Sequence, residues 1–218
     1  LCDRRQRQMC IRDRYTPEKG WDENKLDMFR RHIIQLGTTG VFVIYDELEG
    51  KEAVTWSYLL HTVELPMEIQ ELTDEVKVIG KNKAGGVSVA HLFSSAKTEQ
   101  AMVDTFFCAP TNWKNVTNAQ GKALKYPNHW HFSSTTVPCK TARFLTVMDT
   151  HGKNRPDMQV VRKGNTIQVG DWTITCNLTE KGKAAIYVSN KTEKVSLNYD
   201  AGKKEGATTV SYTHLPLP

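Results

Sequence analysis

In this 218-residue chain, the strongest candidates for binding or catalysis are two histidines that are two positions apart, a spacing typical of one face of a β-strand. His129 and His131 alternate with aromatic residues in "NHWHFSS", and residues two apart on a β-strand point to the same face. Their imidazoles can ligate a metal ion, contact an anionic sugar or form a structural polar face. Asp149 and His151 follow on the next predicted strand and could lie across a hairpin from them, although sequence does not fix the register. Because no third ligand is identifiable, we predict no metal site.

Other polar side chains of interest end short apolar runs. His61 closes "YLLH", where it either lines a cleft or is buried and bonded to the backbone. Asp46 and Glu47 follow "VFVIY", where carboxylates either anchor a turn or act as acid and base partners. The chain has no glycine-rich phosphate loop and no nucleophile elbow, which argues against nucleotide enzymes and serine hydrolases.

The elements that must position these residues are predicted to be strands. Short runs rich in Val, Ile, Thr and aromatic residues are separated by clusters of Gly, Asn, Asp and Lys. This pattern predicts an all-β fold, either an antiparallel β-sandwich or stacked sheets, of roughly 11–13 strands. The predicted strands are 30–36, 41–48, 54–62, 75–80, 87–94, 129–137, 142–150, 158–164, 166–170, 172–178, 184–190 and 194–199.

Local patterns refine this prediction in three places. The continuously apolar 41–45 indicates a strand inside a sheet with both faces covered. Turn residues at 162–165, 169–171 and 180–183 indicate hairpins, so the C-terminal third is expected to be a meander. The stretch 98–127 has no clear pattern and indicates a functional or mobile loop, with room for one further strand at "MVDTFF".

The two ends of the chain can be one DNA sequence read in opposite directions. One codon choice for residues 9–13, ATG TGT ATA AGA GAC, has a reverse complement that encodes Val-Ser-Tyr-Thr-His, the residues at 210–214. We therefore interpret 1–14 and 210–218 as adapter-derived, with a natural basic arm and tail as the alternative, and expect one β-sandwich domain over 15–209. The first fourteen residues carry five Arg and two Asp, a charge of +3, so the net charge of +5 falls to +2. The case for a nucleic-acid-binding arm disappears with them.

The segment "RRHIIQLGTTGVFVIYDELEGKEAVTWSYLLHT", residues 30–62, resembles the β-sheet region of heparinase II/III-type polysaccharide lyases. That family shows the same succession: a strand with Arg, an apolar strand ending in Asp near "YDEL", a short charged turn and an aromatic-rich strand ending in "LLH". The later "NHWHFSSTT" and "ARFLTVMDTH", within 128–151, resemble a further pair of strands in the family. The likeness covers most of 30–190 and is specific in those two segments.

The resemblance implies that this chain is the C-terminal β module of a larger enzyme with an N-terminal α/α toroid. Such lyases cleave uronic-acid-containing polysaccharides by β-elimination, which needs a base, a group that neutralises the uronate and an acid for the leaving oxygen. The family's catalytic Tyr and His residues, and the ligands of a structural divalent metal in the intact parent, lie before the strand at 30–36. We therefore expect this chain to hold no cofactor and to be inactive alone.

The implied function gives roles to several residues of this chain. The catalytic candidates are His61, Tyr126, His129 and His131, and the candidate substrate contacts are Trp113, Asn128 and Arg143. The expected partners are an acidic polysaccharide and the missing toroid, without nucleic acid, and the expected location of the parent is the periplasm or outside the cell. No apolar run approaches the roughly 18 residues that a membrane span requires.

Two alternatives to the lyase module stay open. A noncatalytic carbohydrate-binding β-sandwich module would explain the five tryptophans without any missing catalytic groups. An accessory β domain of a glycoside hydrolase should instead show a pair of carboxylates that flank a glycosidic bond.

Overall fold

The computed structural model describes residues 26–63, 65–104, 119–122 and 129–202, together with the backbone of 209–212. These residues form strands, turns and bends without a helix, and the paired strands are antiparallel. The prediction of an all-β fold of stacked antiparallel sheets is confirmed. The described part accordingly includes no apolar helix of a length that could cross a membrane.

The strands of the described residues assemble into three sheets. The central sheet has the order β1 (Leu26–Gln35), β2 (Val41–Val54), β9 (Cys139–Gly152), β6 (Gly86–Ser94), β5 (Val76–Lys81), β4 (Glu68–Glu71). The small sheet has the order β3 (Ser57–Val63), β8 (His129–Thr136), β7 (Thr98–Val103). The meander sheet has the order β10 (Val160–Lys163), β11 (Thr166–Val169), β12 (Trp172–Cys176), β13 (Ala185–Asn190), β14 (Val195–Asp200), β15 (Thr209–Tyr212).

Alternation of side chains on the central sheet separates two hydrophobic cores. On β9, the buried Phe144 belongs to the core shared with the small sheet, whereas the next residue, Leu145, belongs to the core shared with the meander sheet. Successive residues of a strand point to opposite faces, so the central sheet is the middle layer of three. Residues that contribute to the meander-side core include Val43, Tyr45, Val147, Ile174 and Val188, and those on the small-sheet side include Tyr58, Leu92 and Phe132.

All twelve predicted strands are present, and three further strands raise the count within the described residues to fifteen. β2 lies inside the central sheet, as its apolar run indicates, and the predicted hairpins join the strands from β10 to β13. β4 was not predicted because the sequence "EIQE" has charged ends and a single apolar residue. β7 was not predicted either, and it occupies the start of the stretch 98–127.

The third additional strand, β15, reaches into one of the segments interpreted as adapter-derived. Its backbone pairs with β14 from Asn198↔Thr209 to Val195↔Tyr212. β15 is an edge strand of the meander sheet and not a central one. The adapter interpretation stays a prediction, and residues 1–14 lie outside the described part of the chain.

Asp46 and Glu47 are buried in the middle of β2, so the alternative in which they anchor a turn is wrong. Arg31 donates from Nε and Nη2 to the two carboxylate oxygens of Asp46, each at 2.7 Å. Glu47 Oε2 accepts hydrogen bonds from the Tyr199 hydroxyl at 3.0 Å and from Arg30 Nη1 at 3.1 Å. A buried carboxylate requires such partners. Here they link β1 to its neighbour β2 within the central sheet, and they link β14 of the meander sheet to β2.

Asp149 organises the connection from the central sheet to the meander sheet. Its side chain is 1% exposed, forms an ion pair with Arg155 and accepts the Met158 N–H at 2.7 Å. His151 Nε2 lies 3.1 Å from Asp157 Oδ1 on the same connection. One buried carboxylate therefore fastens the turn after β9 and the backbone that leads into β10.

Candidate functional site

The small sheet brings three of the candidate histidines together. β3 and β8 pair so that His61 lies opposite His131 and Val63 lies opposite His129. The ring centroids of His61 and His131 are 4.5 Å apart, in an edge-to-face arrangement. Directly opposed residues and residues two apart on one strand share a face of the sheet. We call the surface formed by these three histidines and Val63 the imidazole face.

The opposite face of the small sheet packs against the central sheet. Phe132 on β8 is fully buried in that core, and Trp130 and Met102 pack against it. Phe132 and Trp130 therefore belong to the packed side of the small sheet. Because core and imidazole positions alternate along β8, packing of one face holds the other in place.

The tryptophans of the described residues pack against the hydrophobic cores. Trp172 is 7% exposed in the meander-side core, and Trp56 and Trp130 pack on the small-sheet side. Trp56 also donates from its indole nitrogen to the Cys139 carbonyl at 3.1 Å. These three rings stabilise the fold, so they do not provide the sugar platforms that a carbohydrate-binding module would use.

Burial sets the charge state of the imidazole face. His131 is 8% exposed, and burial lowers its pKa, as do the nearby imidazoles of His61 and His129. His131 is therefore neutral at neutral pH, when one ring nitrogen donates a hydrogen bond and the other accepts one. Leu59 and Val63, which flank His61 on β3, are 54% and 47% exposed. The face thus combines imidazole groups with exposed apolar side chains.

Acid is expected to destabilise the protein in part through His131. Because its pKa is lowered in the fold, the unfolded chain binds more protons as pH falls below about 6.5, the ordinary histidine value. The contribution of His131 to the free energy of unfolding is therefore present at neutral pH and is lost as pH falls through that value. The variant His131→Gln should show a shallower decrease of Tm between about pH 7 and about pH 5 by scanning calorimetry. Equal slopes would contradict the prediction, although burial also lowers the pKa of His32 and His91 and leaves some acid dependence in the variant.

The remaining candidates do not join this face within the described residues. Trp113, Tyr126 and Asn128 lie outside the described residues, so their roles stay predictions. Arg143 is 6% exposed, and its guanidinium donates to the carbonyls of Thr179 and Gly182. This placement fastens the turn between β12 and β13 to the central sheet, and a substrate contact by Arg143 stays a prediction.

Asp149 and His151 do not lie across a hairpin from the histidines of β8, so that expectation is wrong. β8 pairs with β3 and β7, whereas β9 pairs with β2 and β6. The chain passes from the small sheet to the central sheet at residues 137–138 and does not close a hairpin there. Among the residues that the structure describes, no group of three or more His, Cys, Asp or Glu side chains is placed to hold a metal ion.

A cavity beside the imidazole face was missed by the sequence analysis. It has a volume of about 440 Å³ and lies between the end of β3 and the ends of β5, β6 and β9. Val63 lines one side, and Gly80, Ser88 and Thr150, which are paired across three strands, lie along the cavity. The available signal in the sequence is the lysine- and glycine-rich turn "KNKAGG" at 81–86.

Comparison with known proteins does not identify the chain. No model of a protein family and no curated protein sequence matches it. The function must therefore be inferred from the geometry of the face and from the sequence resemblance.

Proposed function

We propose that this chain is the β module of a polysaccharide lyase and that its imidazole face contacts an acidic, uronic-acid-containing chain. The observation that carries the proposal is the imidazole face, where His61 and His131 meet beside exposed Leu59 and Val63. Imidazole N–H groups can donate to hydroxyl and carboxylate oxygens, and apolar side chains can cover the C–H faces of a sugar. The resemblance at 30–62 supports the proposal because that segment ends beside His61.

The proposed role is binding, without elimination chemistry in this chain. A general base and a general acid need carboxylates or imidazoles that are free to exchange protons with the substrate. The buried carboxylates Asp46, Glu47 and Asp149 are each engaged by an arginine of the same chain. The proposal assigns the catalytic groups, and a structural divalent metal, to the toroid and adjoining segments of a periplasmic or secreted parent.

Two observations favour this proposal over its alternatives. Trp172 is buried in one core, and the partly buried Trp56 and Trp130 pack against the other, which weakens their support for a carbohydrate-binding module. The arginine pairing of the buried carboxylates leaves them unsuited to the flanking pair of a glycoside hydrolase. The gene sequence upstream of the strand at 30–36 would distinguish a lyase parent from the two alternatives, since only the lyase requires helical hairpins there.

The full chain is expected to bind polygalacturonate in affinity electrophoresis and to release no unsaturated uronate, a product that absorbs ultraviolet light. Replacing His61→Ala and His129→Ala together should weaken binding about tenfold, which corresponds to one hydrogen bond to a charged group. The control is Tyr187→Ala, which removes a 42% exposed ring from the meander sheet and should leave binding unchanged. Absence of binding, or equal weakening in the control, would contradict the proposal. Formation of unsaturated product would overturn the noncatalytic role.

A further inference from the structure

We propose that a basic cleft at the turn end of the central sheet binds the carboxylate or sulfate groups of an acidic saccharide and continues the path that begins on the imidazole face. This inference rests on the proposed function, but different residues carry it. The cleft consists of two adjoining cavities of about 440 Å³ and 470 Å³ that share Gly86. Cavities of roughly 300–1,000 Å³ are typical of small-ligand sites, so either cavity can hold a sugar residue.

Two adjacent turns build the basic cleft. In the β5–β6 hairpin, Gly85 N–H donates to the Asn82 carbonyl at 3.1 Å, and Asn82 N–H donates to the Gly86 carbonyl at 3.0 Å. In the turn after β9, Arg155 N–H donates to the Gly152 carbonyl at 3.1 Å. Because Gly86 and Gly152 pair at the ends of β6 and β9, both turns project from the same edge of the central sheet.

The lining of the basic cleft carries positive charge and includes no carboxylate among the described residues. Lys81 and Lys153 are exposed, one on each turn. Arg155 also lines the cleft, but Asp149 engages its guanidinium. The two lysines are therefore the cations that can meet an anionic ligand, and they suit a carboxylate or a sulfate equally.

The backbone of one turn fixes the course of Lys153. Gly85 has a φ of +89°, and a Cβ atom built there would lie 3.1 Å from Cδ of Lys153. The aliphatic stem of Lys153 thus lies across the glycine, and a side chain at position 85 would displace it. Contact between the two turns therefore places the stem of Lys153 beside the cleft.

A hydroxyl group provides a neutral donor on the floor of the cleft. Thr150 donates to the Gly40 carbonyl at 2.8 Å, and Thr62 donates to the Leu65 carbonyl at 2.7 Å, so both hydroxyls are occupied. Ser88 lies in register with Thr150, and no hydrogen bond of its hydroxyl occurs within the described residues. An anionic sugar needs both a cation and neutral donors, and the lining supplies both.

The basic cleft and the imidazole face meet at one residue. Val63 lines the 440 Å³ cavity and also lies opposite His129 in the small sheet. A saccharide chain in contact with the imidazole face therefore reaches the cleft across a single exposed, apolar side chain. This continuity favours a linear polymer over an isolated small anion.

The described lining lacks the stacking surface of a protein that binds single-stranded nucleic acid. Proteins that bind single strands stack the bases on aromatic side chains. The described residues that line the two cavities include no Phe, Tyr or Trp. Glycine and valine at the cleft offer the small apolar surface that suits the C–H face of a sugar ring.

The test is an NMR titration of the full chain with a hyaluronan tetrasaccharide, which carries only carboxylates, and with a heparin tetrasaccharide, which also carries sulfates. Backbone amides of 81–88 and 152–155 should shift with at least one of them, and the stronger ligand identifies the preferred anion. Replacing Lys81→Gln and Lys153→Gln, which removes both charges and leaves shorter, unbranched polar side chains, should weaken binding about tenfold at low salt. The control Lys163→Gln with Lys191→Gln removes two exposed charges from the meander sheet and should leave binding unchanged.

The outcomes separate this inference from the proposed function. Weaker binding in the double lysine variant alone supports the basic cleft. If the double histidine variant then binds normally, the proposed role of the imidazole face is contradicted while the cleft stands. Weaker binding in the histidine variant alone overturns the cleft and leaves the proposed function standing. Equal weakening in the cleft variant and its control, or no binding of either tetrasaccharide, overturns the cleft. Tighter binding of oligodeoxythymidylate than of both tetrasaccharides overturns its assignment to a saccharide.

Discussion

Replacing Asp149 by alanine is expected to lower the free energy of unfolding by about 3–5 kcal/mol, the range found when one partner of a buried ion pair is removed. The carboxylate is 1% exposed and is the acceptor for both Arg155 and the Met158 N–H. Without it, the N–H group loses its partner and the guanidinium is left beside a buried gap. The Arg155 side chain is 34% exposed, so water offsets part of this cost.

The matched control for this prediction is Asp157→Ala, in the same connection between β9 and β10. The Asp157 side chain is 47% exposed, and its contacts with His151 and Lys77 measure 3.1 Å and 3.8 Å. Because Asp157 is this exposed, water can replace its contacts, and its pairs should contribute about 1 kcal/mol or less. Urea denaturation measures both variants, and a similar loss of stability in the two would show that burial of Asp149 does not determine its contribution.

The strands were predictable because their determinants are local. Alternation and turn residues depend on a few neighbours, and so the twelve predicted segments are all strands. β4 carries too little apolar signal to be recognised in this way. The assignment of strands to sheets depends on distant pairing, which explains why β8 and β9 were expected to form a hairpin although they belong to different sheets.

The candidate site was likewise predictable where it depends on local spacing and not where it depends on distant pairing. The spacing of His129 and His131 is sufficient to place both on one face of a strand. Their meeting with His61 depends on the register of β3 against β8, which links residues about seventy positions apart in the chain. The basic cleft depends on two turns from distant segments, and the local pattern "KNKAGG" at 81–86 marks only one of them. The partners of Asp46, Glu47 and Arg143 are hidden from sequence for the same reason.

The layered arrangement makes the imidazole face depend on packing beneath it. The small sheet has only three strands, and its inner side chains supply its hydrophobic contact with the central sheet. Small sheets of this kind are marginal without such packing. A change in the core below β8 should therefore be detected on the outer face of the same strand.

Replacing Phe132 by alanine is the sharpest test of that dependence, with an expected loss of about 3–5 kcal/mol in the free energy of unfolding. Phe132 is fully buried, and on β8 it lies beside His131, whose side chain is on the other face. The control Phe29→Ala removes a ring that is 57% exposed on β1 and should cost less than about 1 kcal/mol.

The strands that lose hydrogen-exchange protection in the Phe132→Ala variant show whether the small sheet opens separately from the other two sheets. In hydrogen exchange, the Phe132→Ala variant should lose protection in β3, β7 and β8 before it loses protection in β11, β12 and β13, because the meander sheet packs in the other core. In NMR spectra, the chemical shift of the His131 imidazole should move towards that of an exposed histidine, since burial of that ring depends on the small sheet. Uniform loss of protection across the three sheets would contradict separate opening and would show that both cores unfold as one unit, with the imidazole face held by the whole fold.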